Sequence, residues 1–243
     1  MATRSERVDE ALELVAGHEA LLELLALNEI PLRRNYFNEV SGIDAPRVVK
    51  LLAKLANAAM LEETDGLLFR IVAAEEAEEI RGRIAPERRR QLHEDSLAWA
   101  EGKNGLDPRF VVGHLIGAER HDQAARLLID LLGPETDAFR AKAWLARLKL
   151  TLDSMLDAGD QEPALLREVA VLYIQRAGKE LKSRELSRLN SRLKELDVSE
   201  DDRLLFDALT EQAAQARAAE AAARRATEQA AAAAATQAGE AAS

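Results

Sequence analysis

Apolar residues recur at helical spacing from residue 5 to residue 30, with Leu12, Val15, Leu21, Leu22, Leu24 and Leu25 among them. Positions three and four apart share one face of an α-helix, so this stretch predicts one or two amphipathic helices, with a break near Gly17 and an end before Pro31. A short helix follows from about Arg33 to Val40, and Gly42 sits where a left-handed cap would close it. Asp44 is then an N-cap, and Pro46 is tolerated in the first turn of a longer helix reaching about Ala59.

After these helices the pattern changes. Met60-Leu61-Glu62-Glu63-Thr64-Asp65-Gly66-Leu67-Leu68-Phe69-Arg70-Ile71 places two short apolar runs around an Asp-Gly turn signal, which predicts a β-hairpin. Three helices closed by a hairpin form a winged helix-turn-helix. A plain helical bundle with a loop at Asp65-Gly66 is the other reading of the same run.

Further on, residues from Glu75 to Trp99 read as helix, bent near Pro86. Segments from about Pro108 to Ala118 and from Asp122 to Leu132 read as a helical hairpin, and residues 135–158, 162–177, 183–196 and 199 to about 224 as more helices. Short links suggest stacked hairpins like those of tetratricopeptide (TPR) repeats, although no fixed period holds over three units. From about Glu211 the chain is Ala-rich, without a stripe of large apolar residues, and predicts a solvated helix losing order near Gly239. The expected fold class is therefore all-α (mainly helical), a winged helix-turn-helix with one small β-hairpin followed by TPR-like hairpins. Expected boundaries are 1–75, 76–210 and 211–243.

Leu186, Leu189, Leu193 and Leu196 recur at three- and four-residue steps, with Arg184, Arg188, Arg192 and Lys194 on other faces. This stripe fits either an internal core or a coiled-coil contact with another chain. Ser199 with Glu200, Asp201 and Asp202 is a helix start, combining a capping hydroxyl with carboxylates at the positive end of the dipole.

Residues 18 to about 132 resemble the winged helix and following repeat region of STAND-type signalling ATPases related to the MalT and AfsR regulators. The resemblance lies in Ala20 to Leu27, in Phe37-Asn38-Glu39-Val40-Ser41-Gly42-Ile43-Asp44, and in Val48 to Leu61. It continues in Ala85-Pro86-Glu87-Arg88-Arg89-Arg90-Gln91-Leu92-His93 and in Ala118-Glu119-Arg120-His121-Asp122-Gln123-Ala124-Ala125-Arg126-Leu127-Leu128. It implies a module for protein contacts within a signalling assembly. The ATPase part has no counterpart: the sequence contains no G-x-x-x-x-G-K-[ST] loop to cradle phosphates. Where that family commonly carries a histidine after the wing, this chain reads Phe69-Arg70-Ile71-Val72.

Composition narrows the function. In 243 residues, aromatics are 4% and hydrophobic residues 47%, which suits helices packed through aliphatic stripes. A formal net charge of -10 argues against a surface given over wholly to a polyanion, so nucleic acid would need a local basic patch. With 0 cysteines, disulfides, zinc-thiolate sites and thiol nucleophiles are excluded; that, with no secretory or spanning run, predicts a cytoplasmic location.

The four histidines, His18, His93, His114 and His121, show no metal-ligand spacing, and a site at His114, His121 and Asp122 would lack further ligands. No nucleophile elbow, phosphate loop or Glu-x-x-His array appears, so neither an enzyme nor a cofactor is expected. The strongest functional signal is the third helix, where Arg47, Lys50 and Lys54 share a face while Val48, Leu51, Leu52 and Leu55 turn inward. With Arg33 and Arg34 these cations form a candidate partner- or DNA-binding surface, opposed by the acidic wing tip Glu62-Glu63-Thr64-Asp65. The leading expectation is a non-catalytic regulatory or scaffolding protein acting through another protein, with homo-oligomers allowed; the alternative is a DNA-binding transcriptional regulator using the third helix.

Overall fold

Thr3 begins the first helix with a capping box: its hydroxyl accepts from the Glu6 amide at 3.3 Å, and the Glu6 carboxylate accepts from the Thr3 amide at 2.6 Å. This helix, α1 (Arg4–Leu14), is followed by α2 (Ala20–Leu27), with Gly17 at positive φ between them. The computed structural model describes residues 3–64, 67–133, 137–158, 162–177, 183–195 and 200–241. Among them are twelve helices and one three-stranded antiparallel sheet, so the protein is mainly α. No described helix is long and apolar enough to cross a membrane.

After α2 the order is β1 (Leu32–Arg33), α3 (Arg34–Ser41), α4 (Ala45–Asn57), β2 (Leu61–Thr64) and β3 (Leu68–Ile71), with sheet order β1-β3-β2. This is a winged helix-turn-helix. Gly42 closes α3 at φ 71°, its amide bonded to the Asn38 carbonyl at 3.1 Å, and Asp44 caps α4 by accepting from the Arg47 amide at 3.0 Å. Both helix ends are those the sequence predicts. The hairpin pairs Leu61 with Ile71 and Thr64 with Leu68, while its Asp65-Gly66 turn lies outside the described residues.

The sequence reading misses β1. Two residues are too few to show alternation, and Leu32 and Arg33 become a strand only by pairing with Phe69 and Leu68. The wing is thus the outer part of a three-stranded sheet rather than an isolated hairpin.

Four further helices, α5 (Ala74–Arg83), α6 (Pro86–Ala100), α7 (Pro108–Gly117) and the start of α8 (His121–Leu132), complete the first of two compact units, Met1–Ala124. Its core joins Leu21, Leu22, Leu24 and Leu25 of α2, Tyr36 and Phe37 of α3, and Leu51, Leu52 and Leu55 of α4 to Met60 and Leu92, all essentially inaccessible. Burial of each such leucine contributes about 1.5–3 kcal/mol. Arg81 reaches from α5 to donate to the Ala26 carbonyl at 2.9 Å, tying a helix after the wing to α2.

The second unit, Ala125–Ser243, holds the rest of α8 with α9 (Ala138–Ala158), α10 (Pro163–Ala177), α11 (Ser183–Glu195) and α12 (Glu200–Ala241). Arg126 pairs with Glu162 before α10, and Arg176 near the end of α10 donates to the Leu132 and Gly133 carbonyls at 3.1 and 3.2 Å. These contacts link α8 to the start and the end of α10. Leu189 and Leu193 of the predicted leucine stripe are buried within this unit, while Arg188 stays exposed; the side chain of Leu186, and Leu196 and Ser199, fall outside what is described. α12 packs its first part through Phe206 and Ala213, then continues through the Ala-rich run to Ala241.

Candidate functional site

The five predicted cations all reach solvent. Arg47, Lys50 and Lys54 lie on the open face of α4, opposite buried Val48, Leu51, Leu52 and Leu55; Arg33 ends β1 and Arg34 begins α3. The structure thus joins the first three on one helix face. Arg33 stands in a cross-strand row with Leu68 and Thr64, at the end of the sheet where the hairpin turns.

Pairing separates these cations from the other basic groups of the first unit. Arg4, Arg7 and Arg83 bridge acids of α1 and α5; Arg70 meets Glu62 across the wing, and Arg81 meets Glu78. Arg88 pairs with Glu23, Arg90 with Glu119, Arg120 with Glu94, Arg109 with Asp107 and Lys103 with Glu39. Among the described residues the cations of this unit outside any ion pair are Arg33, Arg34, Arg47, Lys50, Lys54 and Arg89.

The negative groups nearby are engaged. α4 itself contains no carboxylate between Ala45 and Asn57. At its start, Glu19, Glu23 and Asp44 border a groove, but Glu19 accepts from the Gly17 amide, Glu23 holds Arg88, and Asp44 caps the helix. In the wing, Glu62 is matched by Arg70, which offsets part of the acidity that the sequence sets against a polyanion.

A buried polar chain, absent from the sequence reading, lies behind this surface. Asn28 Nδ2 donates to the Leu24 carbonyl at 2.6 Å and to the Tyr36 hydroxyl at 3.1 Å, which leaves Asn28 Oδ1 as an acceptor for His114 Nε2 at 3.0 Å. A neutral His114 donating through Nε2 has its lone pair on Nδ1, so His93 Nδ1 is the donor across the 2.8 Å between the rings. At the other end Ser96 donates to the Leu92 carbonyl at 2.7 Å, so its oxygen accepts from Tyr36 at 2.8 Å. Every proton points one way, from His93 towards Leu92.

The chain is held dry and neutral. Burial, with the charge of Arg89, pushes His93 down to about 4; burial, with His93, pushes His114 down to about 3. Burial also pushes the Tyr36 phenol up to about 12, against the hydrogen bond it accepts from Asn28. Phe110 packs edge-on against both Tyr36 and His114, with ring centroids 5.5 and 4.3 Å apart. These groups tie α2, α3, α6 and α7 together. The available signal was an inward-facing polar spacing, His93 with Ser96 in α6 and His114 with Gly117 in α7; which helices would meet was not in it.

His18 and His121 take no part in the chain. Among the described residues no group of three or more histidines, aspartates or glutamates is placed to hold a metal ion. The second unit has a cavity of about 410 Å³ lined by Lys149, Asp153, Asp157, Tyr173, Arg188 and Arg192, among others. Much of its charge is internally matched, Lys149 with Asp153 and Arg192 with Asp153 and Asp157.

No protein-family model, curated protein or solved structure matches the chain. The fold and the open α4 face define a winged-helix protein fused to further helices.

Proposed function

We propose that the protein is a non-catalytic regulatory or scaffolding protein, working by docking macromolecules on helical surfaces, with the open face of α4 as the contact surface of the first unit. The observation that carries this reading is the set of unpaired cations on a helix without carboxylates, in a unit whose other basic side chains are almost all neutralised by neighbours. Cations left unpaired at one place form a local positive field that survives an acidic whole, and its complement is a negatively charged partner surface. The resemblance to the winged-helix and repeat region of STAND-type signalling ATPases supports a regulatory role, without the nucleotide switch. A cytoplasmic location belongs to this reading.

A second contact surface is favoured in the second unit, where Phe139, Leu150 and Leu204 are 84%, 57% and 63% exposed. Large apolar groups in water suit a partner protein rather than a polyanion. The test of the principal reading is retention on heparin at about 50 mM salt. The full chain is expected to be retained and Lys50→Glu/Lys54→Glu to elute earlier with an unchanged circular dichroism spectrum; equal elution of the two would refute it.

A further inference from the structure

We propose that the partner of the α4 face is duplex DNA, with α4 lying in the major groove; the inference rests on the docking reading above. Three observations select DNA over an acidic protein.

The first is shape. Between Arg47, Lys50 and Lys54 the open face carries Ala45, Pro46, Val49, Ala53 and Asn57, all exposed, so no aromatic or long apolar side chain prevents the helix from entering a groove. The major groove, about 12 Å wide, accepts an α-helix. α3, the Gly42 turn and α4 also form the helix-turn-helix that presents such a helix.

The second is the chemistry of the face. The buried centre of a protein–protein contact is depleted in charge and enriched in aromatic residues and methionine. Here Val49, 42% exposed, and Pro46 are the apolar groups larger than alanine on a face otherwise made of cations, alanine and asparagine. Desolvating Arg47, Lys50 and Lys54 against a protein would cost more than it returns unless each met its own carboxylate. A phosphate backbone meets them with one charge per about 1.7 Å of duplex and releases counterions on contact.

The third is the placement of the remaining free cations. Arg33 and Arg34 stand at the junction of β1 and α3, Arg33 in the row that ends at Thr64 of the wing. Helix and sheet end thus each offer unpaired positive charge; of the described wing carboxylates Glu62 is held by Arg70, while Glu63, in the row next to that of Arg33, stays exposed.

The test is fluorescence anisotropy of a labelled mixed-sequence duplex of about 30 base pairs with the full chain, between about 30 and 200 mM salt. If all five cations meet phosphate, log affinity falls against log salt with a slope near about -4.5; Lys50→Glu/Lys54→Glu reduces the slope by about 2 and the affinity at least about tenfold. Arg89→Glu, which reverses the unpaired cation of the first unit that lies off these elements among the described residues, leaves binding within about twofold. Three results would overturn the inference: no duplex binding at the lowest salt, no effect of the α4 reversal, or an equal loss in Arg89→Glu. If heparin or poly-L-glutamate is bound through Lys50 and Lys54 while duplex is not, DNA falls and docking stands; if none is bound, both fall.

Discussion

Gly117 tests whether the buried polar chain holds the first unit together. It is the last residue of α7, and a Cβ built there would lie 2.2 Å from His93 Nε2 and 2.4 Å from both neighbouring ring carbons. Ordinary contact needs more than about 3.4 Å, so in Gly117→Ala the ring must retreat by roughly 1 Å or more. Such a move breaks the 2.8 Å bond from His93 to His114. Overpacking costs about 1–3 kcal/mol, and a buried acceptor left without its donor about 1–3 kcal/mol more. Against this, alanine in a helix gains at most about 1 kcal/mol over glycine. The expected net loss is about 1–5 kcal/mol, opposite in sign to the ordinary effect of glycine to alanine in a helix. Urea unfolding followed by Trp99 fluorescence, in a Trp144→Phe background, reports on this unit alone, because Trp144 is in the other. The control is the same substitution in His93→Ala, where the clash is gone and alanine should be neutral or stabilising. A Gly117→Ala that stabilises the parent, or costs the same in both backgrounds, would refute the account.

Other consequences follow from the same unit. Because His93 and His114 have pKa values of about 4 and about 3 in the fold, the unfolded chain takes up protons that the native chain refuses once pH drops below about 6.5. Stability is therefore full above that pH and declines towards pH 4 by about 1.4 kcal/mol per pH unit for each imidazole; His93→Asn, which keeps a donor for His114, should show a shallower decline in urea titrations, and an unchanged one would count against burial as the cause. Glu76 is buried and paired with Arg7 at 3.0 Å, its other oxygen without a hydrogen bond, so Arg7→Ala strands a carboxylate and should cost about 1–3 kcal/mol; Arg7→Ala/Glu76→Gln should recover part of that in the same assay. Asp44→Ala removes the α4 cap and is expected to cost about 1 kcal/mol, with amide exchange fastest at Arg47, whose N–H loses its acceptor.

How far the sequence carries depends on the range of the interaction that decides each feature. Gly42, Asp44 and the burial of Val48, Leu51, Leu52 and Leu55 are local matters of caps and periodicity, so α3, α4 and the open face with Arg47, Lys50 and Lys54 are legible. β1 is not, because Leu32 and Arg33 carry no pattern of their own and gain a strand only from Phe69 and Leu68. The histidine pair is equally hidden: His93 and His114 stand in separate helices, and only the packing of α6 on α7 makes them neighbours. Arg33 and Arg34 look like many other basic residues here until the ion pairs are known. That Arg70 answers Glu62, whereas no acid among the described residues answers Lys50 or Lys54, is a tertiary fact.

The placement of the buried chain explains why the α4 face can remain open. A helix-turn-helix must bury one side of α3 to hold α4 in position, and in this protein α6 and α7 cover that side through Ser96, His114 and Phe110 around Tyr36. Trp99 adds a hydrogen bond to Glu39 of α3 at 2.7 Å, with Lys103 stacked 4.4 Å from its ring. The helices after the wing thus complete the core of the helix-turn-helix from behind, and α4 is not needed to shield Tyr36. A chain ending before α6 would leave Asn28 Oδ1 without its donor His114 and the Tyr36 hydroxyl without its acceptor Ser96, at about 1–3 kcal/mol for each buried group. The charge pattern has the same division: the ion pairs of Arg83, Arg88 and Arg120 join α5 and α6 to their neighbours, whereas Arg47, Lys50 and Lys54 pair with no acid among the described residues. Cohesion and the proposed contact surface therefore lie on opposite sides of α3 and α4, and a substitution on one side should leave the other intact.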